Sequence, residues 1–297
     1  LLTTSGNITV SSDTISLNAA SSTTTSSGEI ILSDDSGGIA INLGSGAAAD
    51  YELTDTELNT LSGPIVRIGN GGSGAITFTG DFQADAAFAT NFLELQTSSS
   101  VSDGASGGLR LGTSGSNLVV RSGGAVTFDN GTNSNFNTVA VTTGGTNSAV
   151  DLRDTNGFVV GAVDSISGIQ TADGAINLRS IRTIEIQEQV TNTGTSGITI
   201  TTVGTTGSTD VDLSAANADI NAGAGKITID VAPGASGTDA LIMASGASLT
   251  TTNATDAIEI IADDLNLNAT ASISATSGQV TIRPQQASTN IDLGAGA

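Results

Sequence analysis

The chain has 297 residues, with 29 acidic side chains against eight basic ones, a net charge of −21, and neither cysteine nor histidine. That balance repels phosphate backbones and anionic headgroups and so excludes nucleic-acid binding. Disulfides and thiolate metal sites are excluded with it, and the commonest general base is missing. Seven Phe, one Tyr and no Trp argue against a core built on aromatic anchors, whereas Ile, Val, Leu and Ala separated by Ser, Thr, Asn, Asp and 38 Gly suit short strands and tight turns.

In chain order, period-two alternation places branched side chains on one face at Ile8 and Val10, Ile15 and Leu17, Ile30 and Leu32, then Ile39, Ile41 and Leu43. The one helical turn expected is Thr54-Asp55-Thr56-Glu57-Leu58, where Thr54 and Glu57 fit the N-cap and third position of a capping box. Alternation returns in Ile76-Thr77-Phe78, Leu109-Arg110-Leu111, Val126-Thr127-Phe128, Ile198-Thr199-Ile200, Ile227-Thr228-Ile229 and Ile258-Glu259-Ile260. Most of these follow Gly or Asn turn residues. Short strands at this density, with almost no helical periodicity, predict parallel coils stacked around one long core.

An ungapped internal match supports that reading. At an offset of 250 residues, Gly28-Glu29-Ile30-Ile31-Leu32 aligns with Gly278-Gln279-Val280-Thr281-Ile282, and Ile41-Asn42-Leu43-Gly44-Ser45-Gly46-Ala47 with Ile291-Asp292-Leu293-Gly294-Ala295-Gly296-Ala297. Asp13, Leu17, Asn18 and Ala19 meet Asp263, Leu267, Asn268 and Ala269 in the same register. The reading is a tandem super-repeat: residues 1–47 as the C-terminal part of one unit and 48–297 as one complete unit, together one continuous solenoid. The start Leu1-Leu2-Thr3-Thr4 carries no signal-peptide pattern and no run approaches the ~20 apolar residues that span a bilayer. The expectation is therefore a mature or interior piece of a longer polypeptide that does not insert in membranes and continues past Ala297 with a segment like residues 48–80.

The run Tyr51-Glu52-Leu53-Thr54-Asp55-Thr56-Glu57-Leu58-Asn59-Thr60-Leu61, followed by Val66-Arg67-Ile68-Gly69 and Gly74-Ala75-Ile76-Thr77, resembles the recurring unit of filamentous-haemagglutinin-like exoproteins. Val280-Thr281-Ile282-Arg283-Pro284 leading to Ile291-Asp292-Leu293-Gly294 resembles the preceding element, and Gly161-Ala162-Val163-Asp164 through Gly168-Ile169 to Gly174-Ala175-Ile176-Asn177-Leu178 is similar. The resemblance implies an elongated right-handed parallel β-helix, export by two-partner secretion, and a role in adhesion, cell contact or biofilm at the bacterial cell surface. It implies no catalytic residue.

The residues also offer candidates for three other uses of such a scaffold. Asp34-Asp35, Asp151 with Asp154, Asp210 with Asp212, and Asp263-Asp264 are candidate oxygen ligands for weakly held Ca²⁺, although the calcium-binding nonapeptide is absent. A carbohydrate-active β-helix enzyme would use Arg110, Arg121 and Arg153 with Asp129, Asp151 and Asp154 in one groove. A surface-binding module would need a flat lattice of threonines such as Thr199-Ile200-Thr201 and Thr250-Thr251-Thr252. The sequons at Asn7, Asn130, Asn253 and Asn268 are expected from composition alone.

The fold class expected is all-β, a right-handed parallel β-solenoid of roughly 12 to 15 coils and roughly 60 to 70 Å. Its interior should hold Ile15, Leu17, Ile30, Leu32, Ile41, Leu43, Ile198, Ile200, Ile227, Ile229, Ile258 and Ile260. The function expected is a structural and adhesive segment of an extracellular fibre, not an enzyme, with no catalytic, cofactor or metal residues. Its partners would be neighbouring identical repeats, end to end or in the same chain, and cell-surface glycans or other cells, and its charge should keep rods apart at low salt while salt or divalent cations bundle them.

Overall fold

The computed structural model describes residues 1–45, 51–130, 134–204, 207–233 and 239–286. They form a parallel β-solenoid whose only α-helix is the single turn Asp55–Leu58. One side is an eleven-stranded sheet ending with Gln279–Arg283; a second is a sixteen-stranded sheet starting at Ile8–Ser11; short two- and three-stranded sheets complete the lower coils. Among the described residues every strand pair but one is parallel, most strands stacking on the equivalent strand of the next coil.

Ten of the twelve interior residues expected from alternation are fully buried, from Ile30 and Leu32 to Ile258 and Ile260. Ile15 and Leu17, in the first coil, are only partly buried and pack against the core from its end. Few as they are, the phenylalanines concentrate in the middle of the rod. Phe78, Phe128, Phe136 and Phe158 form an internal column with ring centroids 5.6–6.0 Å apart in tilted and edge-on contacts.

At the coil corners, polar side chains face inward and satisfy turn carbonyls that no strand can reach. Thr97 Oγ1 donates to Ser73 and Gly74, Ser122 Oγ to Ser99 and Gly124, Thr171 Oγ1 to Gly174 and Thr251 Oγ1 to Gly225. Glycine is required at the same corners by close approach. A Cβ on Gly174 would lie 2.0 Å from the Ser148 carbonyl oxygen, and one on Gly225 would lie 1.9 Å from that of Ser196. This explains the recurring Gly-x-apolar-x-apolar pattern: the glycine lets one coil settle on the last.

The coil count falls short of the 12 to 15 expected. The eleven-stranded sheet gives a stack of about 50 Å at ~4.8 Å per rung. The coils vary in length, 22 residues separating Ile176 from Ile198 and 31 separating Ile227 from Ile258.

Chain order and stacking order part company once. Tyr51–Thr54 pairs with Ile41–Gly44 and also bridges Ile15, so it lies between the strands of the first two coils. The chain steps back one rung before resuming its climb. The turn that follows has the expected capping box: Thr54 Oγ1 accepts from the Glu57 amide, and Glu57 Oε2 accepts from the Thr54 amide. Its outer groups staple the neighbours, Glu57 Oε1 accepting from the Leu17 amide at 3.0 Å and Asp55 Oδ1 from the Gln83 amide at 2.9 Å. Tyr51, Leu53 and Leu58 are fully buried by this back-step.

The 250-residue match recurs in three dimensions. Ile8 stacks under Ile30 and Val10 under Leu32, as Ile258 stacks under Val280 and Ile260 under Ile282. Asp13 Oδ1 accepts from the amides of Asp35 and Ser36, as Asp263 Oδ1 does from those of Gln285 and Gln286. The Ser12 amide bonds the Ser33 carbonyl, as that of Ala262 bonds Arg283. The two copies nevertheless occupy different sides of the rod, the first in the sixteen-stranded sheet and the second in the eleven-stranded one. The matches of Ile41–Ala47 to residues 291–297 lie outside the described residues at one or both ends.

Candidate functional site

The acidic pairs do not converge on ligand sites. Asp34 is buried and receives the Ser73 hydroxyl, the Asn70 amide group and the Ile39 amide. Asp35 Oδ1 accepts instead from Ser11 Oγ at 3.2 Å. Asp210 accepts from the Ala240 amide and Ser208 Oγ, and Asp263 organises the turn at residues 285–286. Asp212 faces Glu185 on the rung below, and burial followed by the charges of Glu185 and Asp210 raises its pKa. No group of three or more Asp, Glu, His or Cys among the described residues is arranged to hold a metal ion.

The arginines and aspartates singled out for glycoside chemistry are distributed over different sides. Arg110, in the short sheet of Gly108–Arg110, pairs with Asp81 at 3.2 Å; Arg121 lies on the sixteen-stranded sheet; Arg153 lies on the eleven-stranded sheet beside Arg179. Asp151 does neighbour Asp129, and its pKa is raised by burial and then by that charge. Asp154 is sealed inside, accepting from the amides of Phe136, Asn156 and Gly157, and burial pushes its carboxyl up to about 6. The threonine lattice is interrupted as well. Thr199 stacks on Thr228, but the rungs either side carry Asn177 and Glu259, and Thr251 points into the core.

What the structure does bring together is a row of alternating charge on the outer face of the sixteen-stranded sheet. Glu94 bonds Arg67 Nε at 2.7 Å and Arg121 Nε at 2.8 Å; Arg67 reaches Glu29 at 3.3 Å and Arg121 reaches Asp164 at 2.9 Å. Although Glu94 points outward, its side chain is only 2% exposed. Flanking guanidinium groups and a short antiparallel hairpin, Ala162–Val163 with Ile166–Ser167, surround this part of the face. The signal was present in the sequence, because Arg67, Glu94 and Arg121 are 27 residues apart, close to one coil.

One concave feature follows from connection lengths. Between the eleven-stranded sheet and the next rung of the sixteen-stranded sheet, the connections 155–157 and 181–183 hold only three residues each. The short connections leave a side groove of about 400 Å³, walled by Asn135, Asn137, Asn156, Arg182, Thr183 and Ser208. Phe136 and Phe158 lie behind it, 2% and 3% exposed, so neither offers a ring face for stacking a sugar.

No family model, no curated protein and no solved structure matches this chain. Its chemistry must be judged from its own residues. They supply hydrogen-bonding walls and ion pairs, and the strongest of these arrangements hold coils to one another.

Proposed function

We propose that the chain is a structural and adhesive segment of a long bacterial cell-surface fibre built from tandem β-solenoid units of about 250 residues, with the boundaries 1–47 and 48–297. The observation that carries this reading is the recurrence, 250 residues apart, of one stacking register together with its Asp13 and Asp263 turn locks. A solenoid assembled from such units grows by adding nearest-neighbour coil contacts, so its length follows the number of units. The resemblance of Tyr51–Leu61 to filamentous-haemagglutinin-like repeats supports the same reading, and the partners are then neighbouring units and surface glycans. Electron microscopy of source cells labelled with an antibody to this chain tests it. Labelled filaments projecting from the surface are expected; label confined to the cytosol would overturn the proposal.

A further inference from the structure

The eight basic residues divide into two groups. Arg67, Arg110, Arg121, Lys226 and Arg283 each reach a carboxylate within ion-pair distance. Among the described residues Arg153, Arg179 and Arg182 reach none, in a chain that carries 29 acidic side chains. The three lie together. Arg153 and Arg179 face each other on adjacent rungs of the eleven-stranded sheet, and Arg182 sits in the connection that follows Arg179's strand, Ile176–Ser180. Like charges directly opposite on neighbouring strands, ~4.8 Å apart, repel.

The same molecule shows how arginines are placed when they hold coils together. On the sixteen-stranded sheet Arg67 and Arg121 lie two rungs apart with Glu94 between them, one carboxylate oxygen on each. The Arg153 column has no such partner. Thr201 lies above Arg179, and Asp129 follows the strand Val126–Phe128 on the rung below without closing an ion pair. Asp151, in the next column, takes a hydrogen bond from Asn177. Arg179 and Arg182 are moreover exposed. Both arginine-bearing strands run straight into the short connections that leave the polar groove of about 400 Å³, so Asn156 follows Arg153 by three residues as Arg182 follows Arg179.

We propose that the Arg153–Arg179 pair and the adjoining groove bind an acidic sugar, its carboxylate on the two guanidinium groups and its hydroxyls on Asn156, Thr183 and Arg182. This rests on the adhesive reading above and names the class of glycan. A carboxylate fits because its two oxygens can each take one guanidinium, as those of Glu94 do. A single negative charge suits the site better than a doubly charged phosphate, since Asp129, Asp151 and Glu185 lie around it on a rod of net charge −21. The groove walls are amides and hydroxyls, and the rings of Phe136 and Phe158 are sealed behind them, which suits a hydroxyl-rich ligand held without stacking.

The test is calorimetric titration of the whole chain with trigalacturonate, with its neutral counterpart galactotriose and with inorganic phosphate. Trigalacturonate should bind, more weakly as salt rises, and should lose about tenfold or more in affinity with Arg179→Gln; neither of the other two should bind measurably. Arg283→Gln removes an arginine of the same sheet that Glu259 already pairs, and should leave binding unchanged. Because the stacked pair is repulsive, Arg153→Gln and Arg179→Gln should each melt no lower than the parent. Equal affinity for galactotriose, binding of phosphate in place of the uronate, or full binding by the Arg153→Gln, Arg179→Gln double variant would overturn the proposal. Absence of trigalacturonate binding would overturn it too, while the fibre reading would still be decided by the labelled filaments. Lower melting temperatures in both single variants would likewise overturn it, showing that the arginines serve the fold.

Discussion

Replacing Glu94 by Gln keeps the shape of the side chain and removes the charge on which the outer row is centred. The carboxylate receives Arg67 Nε at 2.7 Å and Arg121 Nε at 2.8 Å with its side chain 2% exposed. The amide retains one acceptor oxygen and turns an NH₂ toward the other guanidinium, so one charge-assisted hydrogen bond is lost, at about 1.5–3 kcal/mol. Leaving two guanidinium groups without their shared counter-ion adds to that. Part of this penalty is offset because Arg67 keeps Glu29, Arg121 keeps Asp164, and both arginines remain partly solvated. The net expectation is a loss of about 2–3 kcal/mol. Urea unfolding gives the magnitude, and hydrogen exchange should localise the loss to Phe92–Thr97 and Asn117–Ser122. The triple change Arg67→Met, Glu94→Leu, Arg121→Met removes all three charges together and should cost less than Glu94→Gln alone, because no buried charge is stranded. A Glu94→Gln variant within about 0.5 kcal/mol of the parent would refute the reasoning, since that is the range of an ordinary surface change.

Three further outcomes follow from single residues. Burial raises the Asp154 carboxyl from 3.8 to about 6, so the folded chain binds that proton more tightly than the unfolded one. The associated stability is fully present below pH ~4 and lost as pH rises through ~6, by up to about 3 kcal/mol; the difference between parent and Asp154→Asn melts at the two ends of that window should show this sign, and the opposite sign would refute it. Gly225→Ala drives a Cβ into the Ser196 carbonyl oxygen and should cost about 1–3 kcal/mol in urea unfolding, whereas a neutral result would show that the coils can separate locally. The Tyr51 hydroxyl is buried with no hydrogen-bond partner among the described residues, so Tyr51→Phe should leave thermal stability unchanged or raise it by about 1 kcal/mol, and a clear loss would point to a partner for that oxygen.

Much of the fold was legible because strand alternation depends on local chemistry. Wherever two branched residues flank a polar one, as in Ile198-Thr199-Ile200, the outer pair points inward. Coil length was not, since it is set by how many residues the connections spend between strands, as at 84–91 against 155–157, which no periodicity encodes. The back-step of Tyr51–Thr54 was hidden for a related reason: its capping box announces the turn, but the rung it occupies is chosen by the gap between Ile15 and Ile41–Gly44. The segment from Gly161 to Leu178 read as one repeat element, yet its first part leaves the coil as a hairpin while Ile169–Thr171 and Ile176–Ser180 stay in the stack. The acidic pairs read as candidate ligands because like charges in sequence suggest a cation. In the structure Asp34 and Asp263 are spent on turn amides and hydroxyls, a use that becomes visible only when neighbouring coils are in place. The charge row was readable from its 27-residue spacing, given the coil length.

Parallel coils stacked in one register can be measured directly with paired cysteines, because the chain has none of its own. Thr199 and Thr228 face each other on adjacent rungs, and Asn177 lies one rung below Thr199. Adjacent rungs are ~4.8 Å apart, within the ~4.4–6.8 Å Cα range of a disulfide, and alternate rungs at ~9.6 Å are beyond it. Thr199→Cys with Thr228→Cys should therefore oxidise within a single chain, and Asn177→Cys with Thr228→Cys should remain reduced. Closure of the second pair, or failure of the first in a folded chain, would contradict the stacked solenoid.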